Sequence, residues 1–432
     1  MRPSLIEWAP HCGWICVVTQ DETSGEANVA FSDHSGRVKE NGPTRNGTVT
    51  SVRWHPRKQF VAVGWRDGGV CFVPKGGNIS HHVLENYSHP NKALEWSYDG
   101  SILMTLHNPS SVHMYTYLSI GDEITTSSLM QVELNDEVLL WCKRLNFEKA
   151  SASVNRISAD DDSGVDESPF GSNPEIQERS NGKGMVPSGT EFLFASKSGQ
   201  IYGVDKERQR NERQRNVHKF EHEILFLGHC DLISTIIAFT NDGFIHHLIK
   251  GTMDGKCGEK VKVKLGGNPE RYSMQMDDGM LVMCYGEKEV RAWDLVHEEN
   301  ITIALETNKG YQATETVNVV TVNGKRGVIT SATSLNNIAE WKRTRAEQQT
   351  TSAWKLSPST HLDNQISLIR WSPVVNTCAL ISDSDLVLIG ENTLVVRMRG
   401  KVAAVQTSSN SFTLLNAATG VTQDLRLTLP TA

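Results

Sequence analysis

The amino-acid sequence predicts an all-β chain built from small antiparallel sheets repeated around a propeller, and three observations carry that prediction. The stretch Ser51 to Pro74, SVRWHPRKQFVAVGWRDGGVCFVP, holds three short apolar strands, a Trp54-His55-Pro56 corner and the turn Arg66-Asp67-Gly68-Gly69. Asp-Gly in such a turn tolerates the positive φ that a tight hairpin requires. A first-strand signature ending in Trp recurs at Trp8, Trp54 and Trp96, with spacings of 46 and 42 residues, and again at Trp371. Apolar hairpins begin at Phe192, Ile236, Leu281 and Gly327, with steps of 44, 45 and 46. A period of roughly 40–45 residues is that of one four-stranded propeller blade.

Taken in order, the chain opens with Leu5-Ile6-Glu7-Trp8-Ala9-Pro10, followed by strands at Trp14–Thr19 and Asn28–Phe31. Val52-Arg53-Trp54-His55-Pro56 and the Val61 hairpin, which includes Trp65, form the second unit. Leu94-Glu95-Trp96-Ser97 and the Ile102 hairpin form the third. The step from Ile102 to Phe192 spans about two periods and admits an eight-blade count. Glu137 to Leu145 supplies one inner strand there. Ala150 to Ser188 is rich in Ser, Asp, Gly, Asn and Pro, with almost no large apolar residue. Such a segment buries too little surface to offset its ordering entropy and reads as a disordered insertion at about 150–190. Seven WD40-like blades are therefore expected, with the first propeller ending near residue 345.

Lys206 to Arg215 reads as a solvated loop of mixed charge, or alternatively as a contact for an acidic partner. The Asn-Asp-Gly turn with Asp242 and Gly243 is another hairpin former. Trp293-Asp294, the one complete Trp-Asp dipeptide, places a Trp between blades and an Asp where it caps the next turn. After a polar connection at 343–359, new strands start at Ile366–Pro373, Cys378–Ile381 and Leu386–Ile389. Val402–Val405 and Phe412–Leu415 follow. These strands could close the first ring as an eighth unit. The preferred reading assigns 346–432 to a linker and the incomplete start of a second propeller. A partial propeller has open strand edges, so the chain is expected to be a fragment or short isoform of something longer.

Composition narrows function. The chain has 432 residues, net charge −7 and no concentrated basic field, so no nucleic-acid partner is expected. No apolar run reaches the roughly 18 residues of a membrane helix, and Glu7, Pro10 and His11 stand where a signal peptide would be apolar. A cytosolic protein without a direct membrane span is expected. None of the eight cysteines has C-x-x-C spacing, and Cys71, Cys284 and Cys378 lie in apolar strands, as small buried hydrophobes do. Cys12, Cys16 and His11 lack a second ligand pair. His81-His82 and His246-His247 would point to opposite strand faces. Asp160-Asp161-Asp162 lacks the spacing of a calcium loop, and Ser168-Pro169 is a low-specificity phosphorylation motif. Glycine-rich phosphate loops, nucleophile elbows and zinc helices are missing from the sequence. The first strands look mainly apolar, which argues against a channel enzyme, and no cofactor is expected. The residues singled out, Trp8, Trp54, Pro56, Trp65, Asp67, Gly68, Trp96, Asp242, Gly243, Trp293, Asp294 and Trp371, are blade formers rather than ligand contacts.

Ser51 to Lys75, with its Trp-His-Pro corner and AVGW hairpin, resembles the N-terminal WD region of the intraflagellar transport protein 140 family. VKVKLGG from Val261 and LVMCYGEKEVRAWDLVHEEN from Leu281 resemble it in the same order, and the unit from Asn364 to Leu415, including Val402-Ala403-Ala404-Val405, resembles the start of that family's second propeller. The resemblance implies two tandem propellers followed by a helical solenoid, in a non-catalytic scaffold of the type A intraflagellar transport complex. It implies roles in retrograde transport, cilium assembly and entry of membrane proteins into cilia. The implied partners are the other type A subunits and cargo adaptors, and the implied location is the axoneme, basal body and cytoplasm. Functions that depend on the solenoid do not transfer to this chain. A vesicle-coat propeller or a ubiquitin-ligase substrate receptor is the alternative class, because single-blade patterns are common to all of them.

Overall fold

In a computed structural model the described residues are 2–21, 23–75, 89–107, 110–120, 123–134, 136–145, 190–205, 214–250, 257–344, 353–383, 385–390, 396–406 and 411–426. Among them the chain forms nine antiparallel meanders, each strand pairing with the next in sequence except Thr360–His361, which pairs with Asn337–Thr344. The sheets fall within 2–46, 49–74, 91–133, 138–219, 224–264, 273–304, 317–361, 366–390 and 396–426. Among the described residues helix is limited to two short 3-10 turns, Pro269–Arg271 and Thr307–Lys309. No helix among the described residues is long and apolar enough to cross a membrane.

The second strand of each of the first eight sheets is the most buried. Phe60–Trp65, Ile102–His107, Thr235–Thr240, Val328–Thr333 and Thr377–Ser382 are buried at every position. Continuous apolar runs of this kind are expected where both faces of a strand are covered. The covering comes from neighbouring sheets. One apolar cluster joins the first two sheets through Phe31, Trp54 and Trp65, and another joins the second and third through Phe60, Phe72 and Trp96. Further clusters join each following sheet to the next up to the eighth. The ring then closes. Ile6, Trp8, Ile15 and Val17 of the first sheet share a core with Ala379 and Ile381 of the eighth.

This closure corrects the expected layout. Seven sheets are complete by residue 361, and Ile366–Trp371, Thr377–Ser382 and Asp385–Gly390 form an eighth in the same ring. The sequence pattern could not distinguish a closing unit from an opening one, because both begin with the same first-strand signature. Only the ninth sheet, over 396–426, stands apart, with none of its described residues in the buried core. In the fourth sheet Val138–Leu145 pairs with Thr190–Ser196, so one sheet spans the insertion. Ala150 to Ser188 itself lies outside the described residues, as do residues 206–213, Asn78 to His82, Asp160 to Asp162 and Ser168. Arg215 is not part of a solvated loop. It lies in the strand Gln214–Lys219 and donates from Nε and Nη2 to Glu191 at 2.7 Å each.

Candidate functional site

The first strands of successive sheets surround the axis of the ring, and the Trp signature explains how they are joined. Trp54 Nε1 donates to the Glu7 carbonyl at 2.9 Å, and Trp96 Nε1 to the Arg53 carbonyl at 3.2 Å. Trp8 Nε1 donates to the Arg370 carbonyl at 3.1 Å, linking the first sheet to the eighth. Each acceptor is the residue that precedes the Trp of the neighbouring blade. The spacing in the sequence thus becomes a chain of inter-blade hydrogen bonds. Trp371 continues it with a different acceptor, Thr330 Oγ1 at 3.0 Å.

The remaining blade residues occupy turns and inter-sheet contacts. Trp65 is fully buried and donates to Cys71 Sγ at 3.3 Å, with the Arg45 guanidinium over its ring. Asp67 accepts from the Gly69 amide at 3.0 Å and pairs with Arg45, and Gly68 takes φ 93° in that turn. Asp242 accepts from Thr240 Oγ1, and Gly243 takes φ 85°. Such φ values favour glycine because they carry no Cβ penalty. Asp294 accepts from the amides of Val296 and His297 at 3.1 and 3.0 Å, while Trp293 lies against His247 between the fifth and sixth sheets. Pro56 is half-buried at its corner. His246 and His247 diverge, the first toward Glu259 and the second toward Trp293. Cys16, Cys71, Cys230, Cys257, Cys284 and Cys378 are buried, with Cys12 and Cys142 partly so.

The side chains of the residues before each Trp are what the sequence reading missed. Arg370, Glu7, Arg53 and Glu95 come from the eighth, first, second and third sheets in turn and alternate in charge around one side of the axis. Arg53 Nη1 lies 3.5 Å from Glu7 Oε2, and Arg53 Nε lies 3.3 Å from Glu95 Oε2. Lys143 Nζ, from the fourth sheet, completes the arc 3.2 Å from Glu95 Oε1. Together with Leu5, Trp141 and Leu368 these groups line a cavity of about 470 Å³. The expectation of mainly apolar first strands fails at this one register position. Its signal was visible in the sequence as Glu7-Trp8, Arg53-Trp54, Glu95-Trp96 and Arg370-Trp371.

The two carboxylates are not equivalent. Burial pushes Glu7 up, and Arg53 offsets this only in part while Glu95 repels it. Burial also opposes ionisation of Glu95, but Lys143 and Arg53 together outweigh it and hold its carboxyl below the usual range. Glu7 raises the guanidinium of Arg53, against the effect of burial. Desolvation lowers Arg370, whose attraction to Glu7 is partly cancelled by Arg53. Arg370 makes no ion pair among the described residues and donates only to the carbonyl of Ile369 at 3.0 Å. The arc can bind and orient charge, and groups of three or more metal-ligating side chains are absent from the described residues.

Comparison with known proteins agrees with this architecture. The C-terminal WD40 domain of Sif2 is 11% identical with a TM-score of 0.59, over 91% of this chain and 96% of that one. Saccharomyces cerevisiae Sqt1 is 10% identical with a TM-score of 0.59, over 90% and 95%. The computationally designed Ika8 protein is 11% identical with a TM-score of 0.53, over 90% and 95%. At such identities the likeness shows the WD40 propeller fold and nothing about function. The family described as the IFT140 first beta-propeller matches residues 1–392, which takes in all eight sheets of the ring and stops short of the ninth. The chain therefore belongs to the IFT140 first β-propeller family.

Proposed function

We propose that this chain is a non-catalytic scaffold element of the type A intraflagellar transport complex, acting in retrograde transport, cilium assembly and the entry of membrane proteins into cilia. The family match over residues 1–392 is the observation that carries this reading. The family implies a scaffold role in that complex and residence in the cilium. The closed ring supports a binding role, because eight sheets joined by shared apolar cores, with Trp hydrogen bonds linking the eighth, first, second and third, present a rigid rim and fixed loops to partners. We assign the ninth sheet, over 396–426, to the start of the second propeller of the family plan. The implied partners are other type A subunits, with cargo adaptors as a further class, and the axoneme, basal body and cytoplasm are the proposed locations.

The test is affinity purification of the tagged chain from ciliated cells, with identification of what co-purifies. Recovery of type A transport subunits is the expected result. Recovery of coat or ubiquitin-ligase subunits in their place would overturn the assignment.

A further inference from the structure

The charged arc adjoins a second cavity of different character. Its walls come from the first strands of the second to sixth sheets, and it holds about 460 Å³. Phe226, Met274, Met276 and Leu140 give it an apolar side, while Arg53, Glu95, Trp141 and Lys143 are common to both cavities. Two buried polar atoms of residues at its wall, His229 Nε2 and Gln275 Oε1, have no hydrogen-bond partner among the described residues. The His229 side chain is fully buried, and its Nδ1 lies 2.6 Å from Asp231 Oδ1. That contact places the proton of a neutral ring on Nδ1 and leaves Nε2 a bare lone pair.

The charge count sets the sign of what fits. Arg370, Arg53, Lys143 and Lys92 line the first cavity against Glu7 and Glu95, an excess of two positive charges that falls to one when Lys92 is counted with its partner Glu137 at 3.4 Å. Arg370 is the member without a carboxylate within ion-pair distance among the described residues. Its side chain is exposed to the cavity it lines, so an incoming carboxylate meets it without breaking an existing pair. Guanidinium groups bind carboxylates in a fork geometry that adds direction to attraction. In the adjoining cavity, reached across the shared residues Arg53, Glu95, Trp141 and Lys143, the methionine and phenylalanine wall accepts an apolar side chain. Cavities of a few hundred Å³ with an apolar lining and a few placed polar groups are of binding-site size.

We propose that the axis of the ring is a receptor for an extended peptide segment carrying an acidic residue next to an apolar one. The acidic side chain pairs with Arg370, and the apolar neighbour packs against Phe226, Met274 and Met276. This goes beyond membership of a transport complex and does not depend on it.

The experiment titrates the purified chain into a fluorescein-labelled peptide with adjacent glutamate and phenylalanine flanked by glycines. Parallel peptides replace the glutamate with lysine or the phenylalanine with alanine. Saturable binding is expected, weaker by at least about tenfold for either replacement and for Arg370→Gln, with partial recovery in Arg370→Lys. Circular dichroism melts establish that both variants remain folded. Three results would overturn the proposal: no saturation up to millimolar chain, equal affinity for the glutamate and lysine peptides, or unchanged affinity in folded Arg370→Gln. Inorganic phosphate and acetate serve as competitors. Displacement of the peptide by either at the peptide's own concentration would show a simple anion site and overturn the peptide assignment.

Discussion

Deleting the eighth sheet tests whether it closes the ring. Consider a chain ending at residue 363 beside one ending at residue 392. If the first seven sheets formed a complete propeller, the shorter chain would lose little. In the structure, removal of the eighth sheet uncovers Ile6, Trp8, Ile15 and Val17 on the first sheet and Ala332 and Ile338 on the seventh. All six are now between 0% and 6% exposed. Fully exposing a large buried apolar side chain costs about 1.5–3 kcal/mol. The five large ones therefore approach 7–15 kcal/mol, a ceiling that partial collapse would lower. Trp8 also loses its acceptor on Arg370, which adds about 1 kcal/mol. Whole-domain stability is only about 5–15 kcal/mol. The 363-residue chain is expected to be insoluble, or to bind a hydrophobic dye without a cooperative melt, while the 392-residue chain melts sharply. Calorimetry and dye binding on both chains provide the assay. A shorter chain that melts cooperatively within a few degrees of the longer one would refute ring closure by this sheet.

Three further outcomes follow from the same geometry. Trp54→Phe keeps most of the buried surface but removes the donor to the Glu7 carbonyl, so denaturant unfolding should show a loss of about 1–2 kcal/mol; a loss below about 0.3 kcal/mol would show that the inter-blade bonds contribute little. Glu191→Ala strips the buried carboxylate from Arg215 and from Arg144, which lies 3.7 Å away, and should cost about 3–5 kcal/mol by removing the buried anion that both guanidinium groups share, measured in the same way. Burial pushes His55, His107 and His247 down to about 4 from 6.5, although backbone carbonyls partly counteract this at His55 and His107. The unfolded chain takes up these protons below about pH 6.5 and the folded ring does not until about pH 4, so stability should fall as pH drops through that window. The slope is at most about 4 kcal/mol per pH unit for three protons. Carboxylates held low, such as Asp294, add their loss only below that window. Melting curves from pH 7 to 4 should show the decline, and His55→Gln should flatten it by about one proton; a flat profile would contradict the burial argument.

Much of this protein is local, and the sequence alone determined that part. Strand identity follows from short apolar runs, turns from Asp-Gly and Asn-Asp-Gly, and the blade period from Trp8, Trp54 and Trp96. Even the charged arc has a local signal, because the residue before each of these Trps, and before Trp371, is Glu or Arg. Alternation along one strand shows which face a residue shares, but not which sheet lies across from it. For that reason the first strands read as mainly apolar until neighbouring blades brought Glu7, Arg53 and Glu95 within ion-pair distance. Only tertiary structure decided where the ring closes. Ile366–Trp371 carries the same pattern whether it ends one propeller or begins another. The contact of Ala379 and Ile381 with Ile6 and Trp8 joins residues more than 350 positions apart, and nothing in the sequence of either strand specifies the other. The physical reason is that apolar burial is non-directional. An apolar face requires a cover, and the geometry of the completed ring selects which sheet supplies it.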